Sequence, residues 1–231
     1  MKETMMQDSH RTLFLSPAEF VDSDHEAVIA EARGLTAGVK DPAVQARILY
    51  DRVRDGIRYD PYRDFLDPGT YRASTVLEAG IGYCVGKAAL YAALCRVVGI
   101  PARLGLADVR NHLATPRLLE AVGTDVFAYH GYAEIYLGGG WLKASPTFNA
   151  TLCDRLGVAV LPFDGESDAL LQPYDEHGRS FMSYIVDHGS FFDVPMKFLV
   201  REMSRLYPRL CVPGGLRGST MEQEARVSSQ S

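Results

Sequence analysis

A chain of 231 residues can bury one good-sized core, and its length favours one domain over two. A net charge of -5 offers no electrostatic case for nucleic acid or an anionic membrane surface. No apolar run approaches the roughly 20 residues that would cross a bilayer. The opening MKETMMQDSHRTLFLSP carries Glu3, Gln7, Asp8 and His10 where a signal peptide needs an apolar stretch, so the default expectation is a cytoplasmic protein.

In chain order, residues 1–11 read as a loose arm. A helix follows, with Ser23 and Asp24 as capping candidates and Glu26 in its first turn, ending near Gly38. Asp41 and Pro42 open a second helix, whose Val44, Ile48, Leu49 and Val53 form an apolar stripe at helical spacing. Prolines 61 and 68 and Gly69 punctuate a loop, after which Ser74 can cap a short helix closed by Gly80. A long helix is expected from Cys84 to about Val98, stopped by Gly99 and Pro101. Three strands follow in ARLGLADV, YHGYAEIYL and GWLKAS, the last two joined as a hairpin at Gly138–Gly140. FNATLCDRLG suggests a short helix, FMSYIVDHG a strand, and VPMKFLVREMSRLY a helix with Pro195 near its start. From Pro213 the composition turns to Gly, Ser, Gln and charge, the mark of a flexible tail. Helices first and a mostly antiparallel sheet afterwards indicate an α+β fold, one domain over 12–212.

The cysteines, Cys84, Cys95, Cys153 and Cys211, form no CxxC pair and supply no structural metal spacing. Cys84 differs from the rest by its place at the first turn of a helix. Free N–H groups and the helix dipole favour a thiolate there, and the same groups can hold an oxyanion. Cys95, eleven residues on and ~16 Å further along the helix, reads as core. A thiol nucleophile needs a base from elsewhere in the chain. His130, at a strand end, is the best placed of six histidines; His112 and His188 are weaker competitors, and His10, His25 and His177 read as solvated.

Two blocks carry a family resemblance. The run G-Y-C-x-x-K-A-x-L-x-x-A-L-x-R-x-x-G-I-P-A-R, Gly82 to Arg103, resembles the nucleophile helix and following strand of the transglutaminase-like superfamily. HGYAEIYLGGGWLKASPT, His130 to Thr147, is similar to that superfamily's histidine strand and hairpin, and with the preceding helices the likeness covers about 42 to 148. It implies a papain-like arrangement with the nucleophile helix packed on an antiparallel sheet. Cys84 would attack a carbonyl, His130 would move the proton, and no metal or organic cofactor would be needed.

The chain departs from the family at one position. Ser145 stands where Asp usually precedes Pro-Thr, at the right spacing of 15 from His130. Either Ser145 or Asn149 can orient the imidazole, with Asp187 or Asp193 behind them. Tyr83, Asn111, His112 and Trp141 are candidate substrate contacts. Lys87 is either solvated or attracts a carboxylate, and Glu134 either faces the site or pairs with an Arg. The expected activity is hydrolysis or amine transfer at an amide or isopeptide carbonyl of a peptide, protein or small amide. A non-catalytic binding module on the same fold is the alternative, and the oligomeric state is left open.

Overall fold

The computed structural model describes residues 12–112, 114–171, 174–175, 178 and 180–228. The expected 1–11 arm and His177 lie outside them. Helix α1 spans Glu26–Leu35 and α2 spans Pro42–Gly56. Asp41 caps α2 as expected, accepting from the Ala43 N–H, and Pro42 fills a first-turn position where no N–H is needed. The cap of α1 is His25, whose Nδ1 accepts from Ala27, rather than Ser23 or Asp24, and the helix stops at Leu35, short of Gly38. Strand β1 (Arg58–Tyr59) runs parallel to β2 (Ile81–Gly82), and between them lie a 3-10 turn at Pro68–Thr70 and α3 (Ala73–Ala79). Arg72, not Ser74, occupies the N-cap of α3; Ser74 sits inside the helix with its N–H on Asp22. Gly80 closes α3 at φ 63, a left-handed conformation that glycine adopts without penalty.

Helix α4, Cys84–Val97, is the axis of the molecule. Every residue from Cys84 to Arg96 is buried, because α1, α2 and α3 pack on it from one side and the sheet from the other. A helix covered all round needs no polar face, which explains the near-continuous small and apolar run AALYAALC. Its two charged side chains are satisfied by backbone oxygens. Lys87 donates to the Arg54 and Ile57 carbonyls at 2.9 and 2.6 Å, so it is neither solvated nor turned to a ligand. Arg96 donates to the carbonyls of Ser16, Ala102 and Phe192.

The sheet is β3 (Ala102–Asn111), β4 (Val126–Leu137), β5 (Gly140–Ala144) and β6 (Met182–Phe191), antiparallel in the order β5-β4-β3-β6. A short helix α5, Pro116–Val122, bridges β3 and β4 with Thr115 as its N-cap. Helix α6 (Ala150–Leu156) follows the sheet's hairpin, and α7 (Met196–Leu206) follows β6. This mixture of helices and antiparallel sheet is the α+β architecture expected.

The region after Pro213 departs from the expected flexible tail. Residues 221–228 form helix α8, Met221–Ser228, which packs on α6. Met221 and Ala225, one turn apart, are buried. Glu222 accepts from Asn149 Nδ2 at 2.8 Å, and Glu224 accepts from Tyr62, Thr115 and Arg117. Composition signalled solvation here, but two buried side chains and two anchored carboxylates suffice to hold a two-turn helix. No helix among the described residues is long and apolar enough to cross a membrane.

Candidate active site

Cys84 begins α4, with Tyr83 as the N-cap residue in extended conformation. The backbone N–H groups of Cys84, Val85 and Gly131 lie near its sulfur and favour the thiolate. The third comes from β4 and depends on a close approach of strand to helix. A Cβ on Gly131 would lie 2.6 Å from the Val85 Cα, so glycine is the residue that fits.

His130 sits beside Gly131 on β4, and its aim is set by a local irregularity. Between Ala107 and Val109 the β3–β4 register slips, and Tyr129 takes φ 59, the one positive φ outside glycine among the described residues. Asp108 fixes this kink by accepting from the Tyr129 N–H at 3.0 Å, while its Oδ1 lies 2.7 Å from His188 Nε2. A bulge of this kind re-aims the following side chain. His130 Nε2 then meets Ser145 Oγ at 3.2 Å.

Ser145 is itself held rigidly. Its N–H donates to the Ala169 carbonyl, its carbonyl accepts from the Tyr50 hydroxyl, and its own hydroxyl reaches Tyr184, which accepts from the Leu171 N–H. Asn149, the other residue expected to orient His130, is engaged elsewhere. Its Oδ1 accepts from Tyr59, and its Nδ2 donates to Thr151 and Glu222. The carboxylates in reserve are also absent from the imidazole. Asp187 pairs with Lys143, and Asp193 accepts the N–H groups of residues 19–21.

Cys84 and His130 share the wall of one cavity of about 60 Å³. Of the four candidate substrate contacts, Tyr83 and Asn111 line it. His112 and Trp141 do not. His112 faces Ser183 on β6, and Trp141 packs edge-on against Phe14 and Tyr136 with the Arg103 guanidinium 4.0 Å above its ring. Sequence order placed both near the right strands, yet their side chains take the other face or end. Glu134 pairs with Arg103 at 2.5 Å, the plainer of its two expected roles. Sequence reasoning missed Phe127, Phe148, Met203, Tyr207 and Met221, which also line the cavity. The last three come from distant C-terminal elements, and nothing in their local sequence marks them.

Burial governs the electrostatics. It pushes the Cys84 thiol up to about 11, although the three N–H groups act in the opposite direction. It pulls the His130 imidazole down to about 4. The helix N-terminus was expected to favour a thiolate; desolvation of the sulfur opposes it, and burial favours the neutral forms of both thiol and imidazole. Cys95, fully buried and bonded to Tyr91, is held at about 12. Among the described residues no group of three His, Cys, Asp or Glu is placed to hold a metal ion.

The family model described as the transglutaminase-like superfamily matches residues 29–146, just over half of the chain. No curated protein matches. Two solved structures are similar at 18% identity: a candidate cysteine protease from Cytophaga hutchinsonii (TM-score 0.45, covering 77% of this chain and 53% of that one), and a candidate protease from Parabacteroides distasonis (TM-score 0.42, 58% and 26%). The chain thus spans about half the length of the first and a quarter of the second.

Proposed function

The chain belongs to the transglutaminase-like superfamily, and on that premise we propose that it is a cysteine-dependent acyl-transfer enzyme acting on an amide or isopeptide carbonyl. The observation that carries this reading is the placement of His130, with Nε2 on Ser145 and the Cys84 thiol on the same cavity wall. With the Nε2 proton donated to Ser145, Nδ1 keeps the lone pair of a general base. The Cys84 sulfur attacks the carbonyl carbon while its proton passes to His130. On this reading the N–H groups near the sulfur supply donors for the developing oxyanion. Collapse breaks the C–N bond, and the amine leaves with the proton from His130. Water or a second amine then attacks the thioester, giving a free acid or a new amide, and returns a proton to the thiol.

Burial favours the neutral thiol and imidazole, which supports a step in which proton transfer accompanies attack rather than preceding it. Four free cysteines among the described residues support a reducing, cytoplasmic setting. The raised thiol pKa also favours a second reading, a binding module that holds a peptide or small amide without turning it over.

Acylation by p-nitrophenyl acetate, followed by intact mass, separates the two. The enzyme reading expects one acetyl group on Cys84, none on the Cys84→Ala variant, and a rate at least about a hundredfold lower for His130→Ala. A parallel iodoacetamide profile is expected to climb steadily above pH 8.5 with no plateau at neutral pH. Acetylation spread equally over Cys84 and Cys211, or absent altogether, would leave only the binding module.

A further inference from the structure

We infer that the substrate of this site carries a short, uncharged apolar acyl group. This inference rests on the acyl-transfer reading above and goes beyond it by naming the substrate class. Among the described residues, none of those lining the cavity that holds Cys84 and His130 is an Asp, Glu, Lys or Arg. Around the reacting pair stand the rings of Phe65, Phe127 and Phe148 and the thioethers of Met182, Met203 and Met221. A carboxylate or ammonium entering this wall would lose its hydration and meet only neutral polar groups, the Asn111 amide and tyrosine hydroxyls, with no opposite charge among the described lining residues. An alkyl group gains by the same burial.

Size narrows the class further. A volume of about 60 Å³ is small for a ligand site, so short acyl chains are expected to fit before long ones. Part of this limit comes from outside the family-matched region, which ends at residue 146. Met203 on α7, and Met221 at the start of α8, line the cavity together with the nucleophile. Met221 is 1% exposed and is held in place by the Glu222 and Glu224 anchors of α8. These two methionines are the specificity-determining residues, setting how long an acyl chain fits. Methionine is flexible enough to give way by an atom or two, so the limit is a decline rather than a wall.

The full-length protein is offered p-nitrophenyl acetate, butyrate, hexanoate, decanoate and monosuccinate, and single-turnover formation of the thioester is followed by intact mass. In each case the S–C bond forms as the C–O bond breaks, p-nitrophenolate leaves, and the thiol proton passes through His130 to solvent. The rate constant per unit concentration is expected to rise about threefold to fourfold per methylene from acetate to butyrate. It should then fall by decanoate, and the succinyl ester should trail butyrate by at least about a hundredfold. Met221→Ala and Met203→Ala are expected to move the optimum to a longer chain.

Thioester on Cys84 with succinate equal to butyrate, or with a flat response to chain length, overturns the apolar assignment while leaving the acyl-transfer reading intact. No thioester from any ester defeats the acyl-transfer reading itself. Should both alanine variants fail to fold, the wild-type profile decides the apolar class alone; should they fold with an unmoved optimum, the methionines do not set the length.

Discussion

A hydroxyl on Nε2 of His130 does different work from a carboxylate. Ser145 fixes the ring by a bond that is neutral on both sides, so nothing at that position offsets a positive charge arriving on the imidazole. The burial that pulls His130 to about 4 therefore acts unopposed. Ser145→Asp is expected to raise the His130 pKa by more than about one unit and to speed acylation of Cys84 roughly tenfold. Ser145→Ala, which removes a neutral hydrogen bond, should slow it by about threefold to tenfold. Proton NMR of the imidazole and the single-turnover rate are the two readouts; an unmoved pKa in Ser145→Asp would show that the new carboxylate does not reach the ring. Cys84 and His130 stood out as a cysteine at a helix start and a histidine expected at a strand end, although β4 begins earlier, at Val126, and His130 lies within it. Ser145 was picked out by the family resemblance, as the residue standing where Asp usually precedes Pro-Thr, and Asn149 was an equally plausible partner for the imidazole. Its amide is taken by Tyr59, Thr151 and Glu222, partners 90, 2 and 73 residues away, and such tertiary competition is not written in spacing.

At the scale of elements, the approach of β4 to the start of α4 decides whether the site exists. Gly131 allows its N–H to reach the Cys84 sulfur because no Cβ separates it from Val85. Gly131→Ala would press a methyl group on the Val85 Cα and N, both backbone atoms that cannot swing aside. We expect a loss of about 1–3 kcal/mol of stability by thermal or urea melting, with a larger fractional loss of Cys84 acylation. Acylation that survives the loss of stability would mean that the contact matters only for folding. Most elements were legible from caps and glycine stops, as at Asp41, Pro42, Gly80 and Gly99. Helix α5 was missed although Thr115, Pro116 and Gly123 supply an N-cap, a first-turn proline and a left-handed C-cap at φ 75. Seven residues between two strands gave too little apolar period to raise it above a loop. Helix α8 was hidden for a related reason. Its buried side chains and its two anchored carboxylates gain meaning only once Asn149 and Arg117 are in place to receive it.

For the whole molecule, the buried titratable groups define a window of stability. His130 is neutral in the folded state down to about pH 4, whereas in the unfolded chain it binds a proton below about 6.5. The unfolded state thus holds more protons between those values, and stability falls as pH drops from 6.5 to 4, by on the order of 3 kcal/mol from this group. The thiols act at the other end. Cys84 and Cys95 stay protonated to about 11 and 12 in the fold, while unfolded cysteines ionise from about 8.5, so stability falls as pH rises past that point. Lys87, drawn to about 7 by burial, works against this alkaline loss, since the unfolded chain holds its proton to about 10.4. Melting temperature against pH is expected to peak between about 6.5 and 8.5. Cys95→Ala should soften the alkaline decline, and an unchanged slope would rule out the thiol as its source.

The enclosure of α4 on every side has a kinetic consequence. Its two thiols lie on one rigid rod but meet the outside by different routes, Cys84 through the cavity and Cys95 by no route short of the fold coming apart. A thiol reagent applied to the native protein therefore reads two separate events on one helix. The slow clock at Cys95 counts global openings, the fast one at Cys84 counts visits to the cavity, and their ratio tells whether a ligand has steadied the whole fold or merely occupied the site.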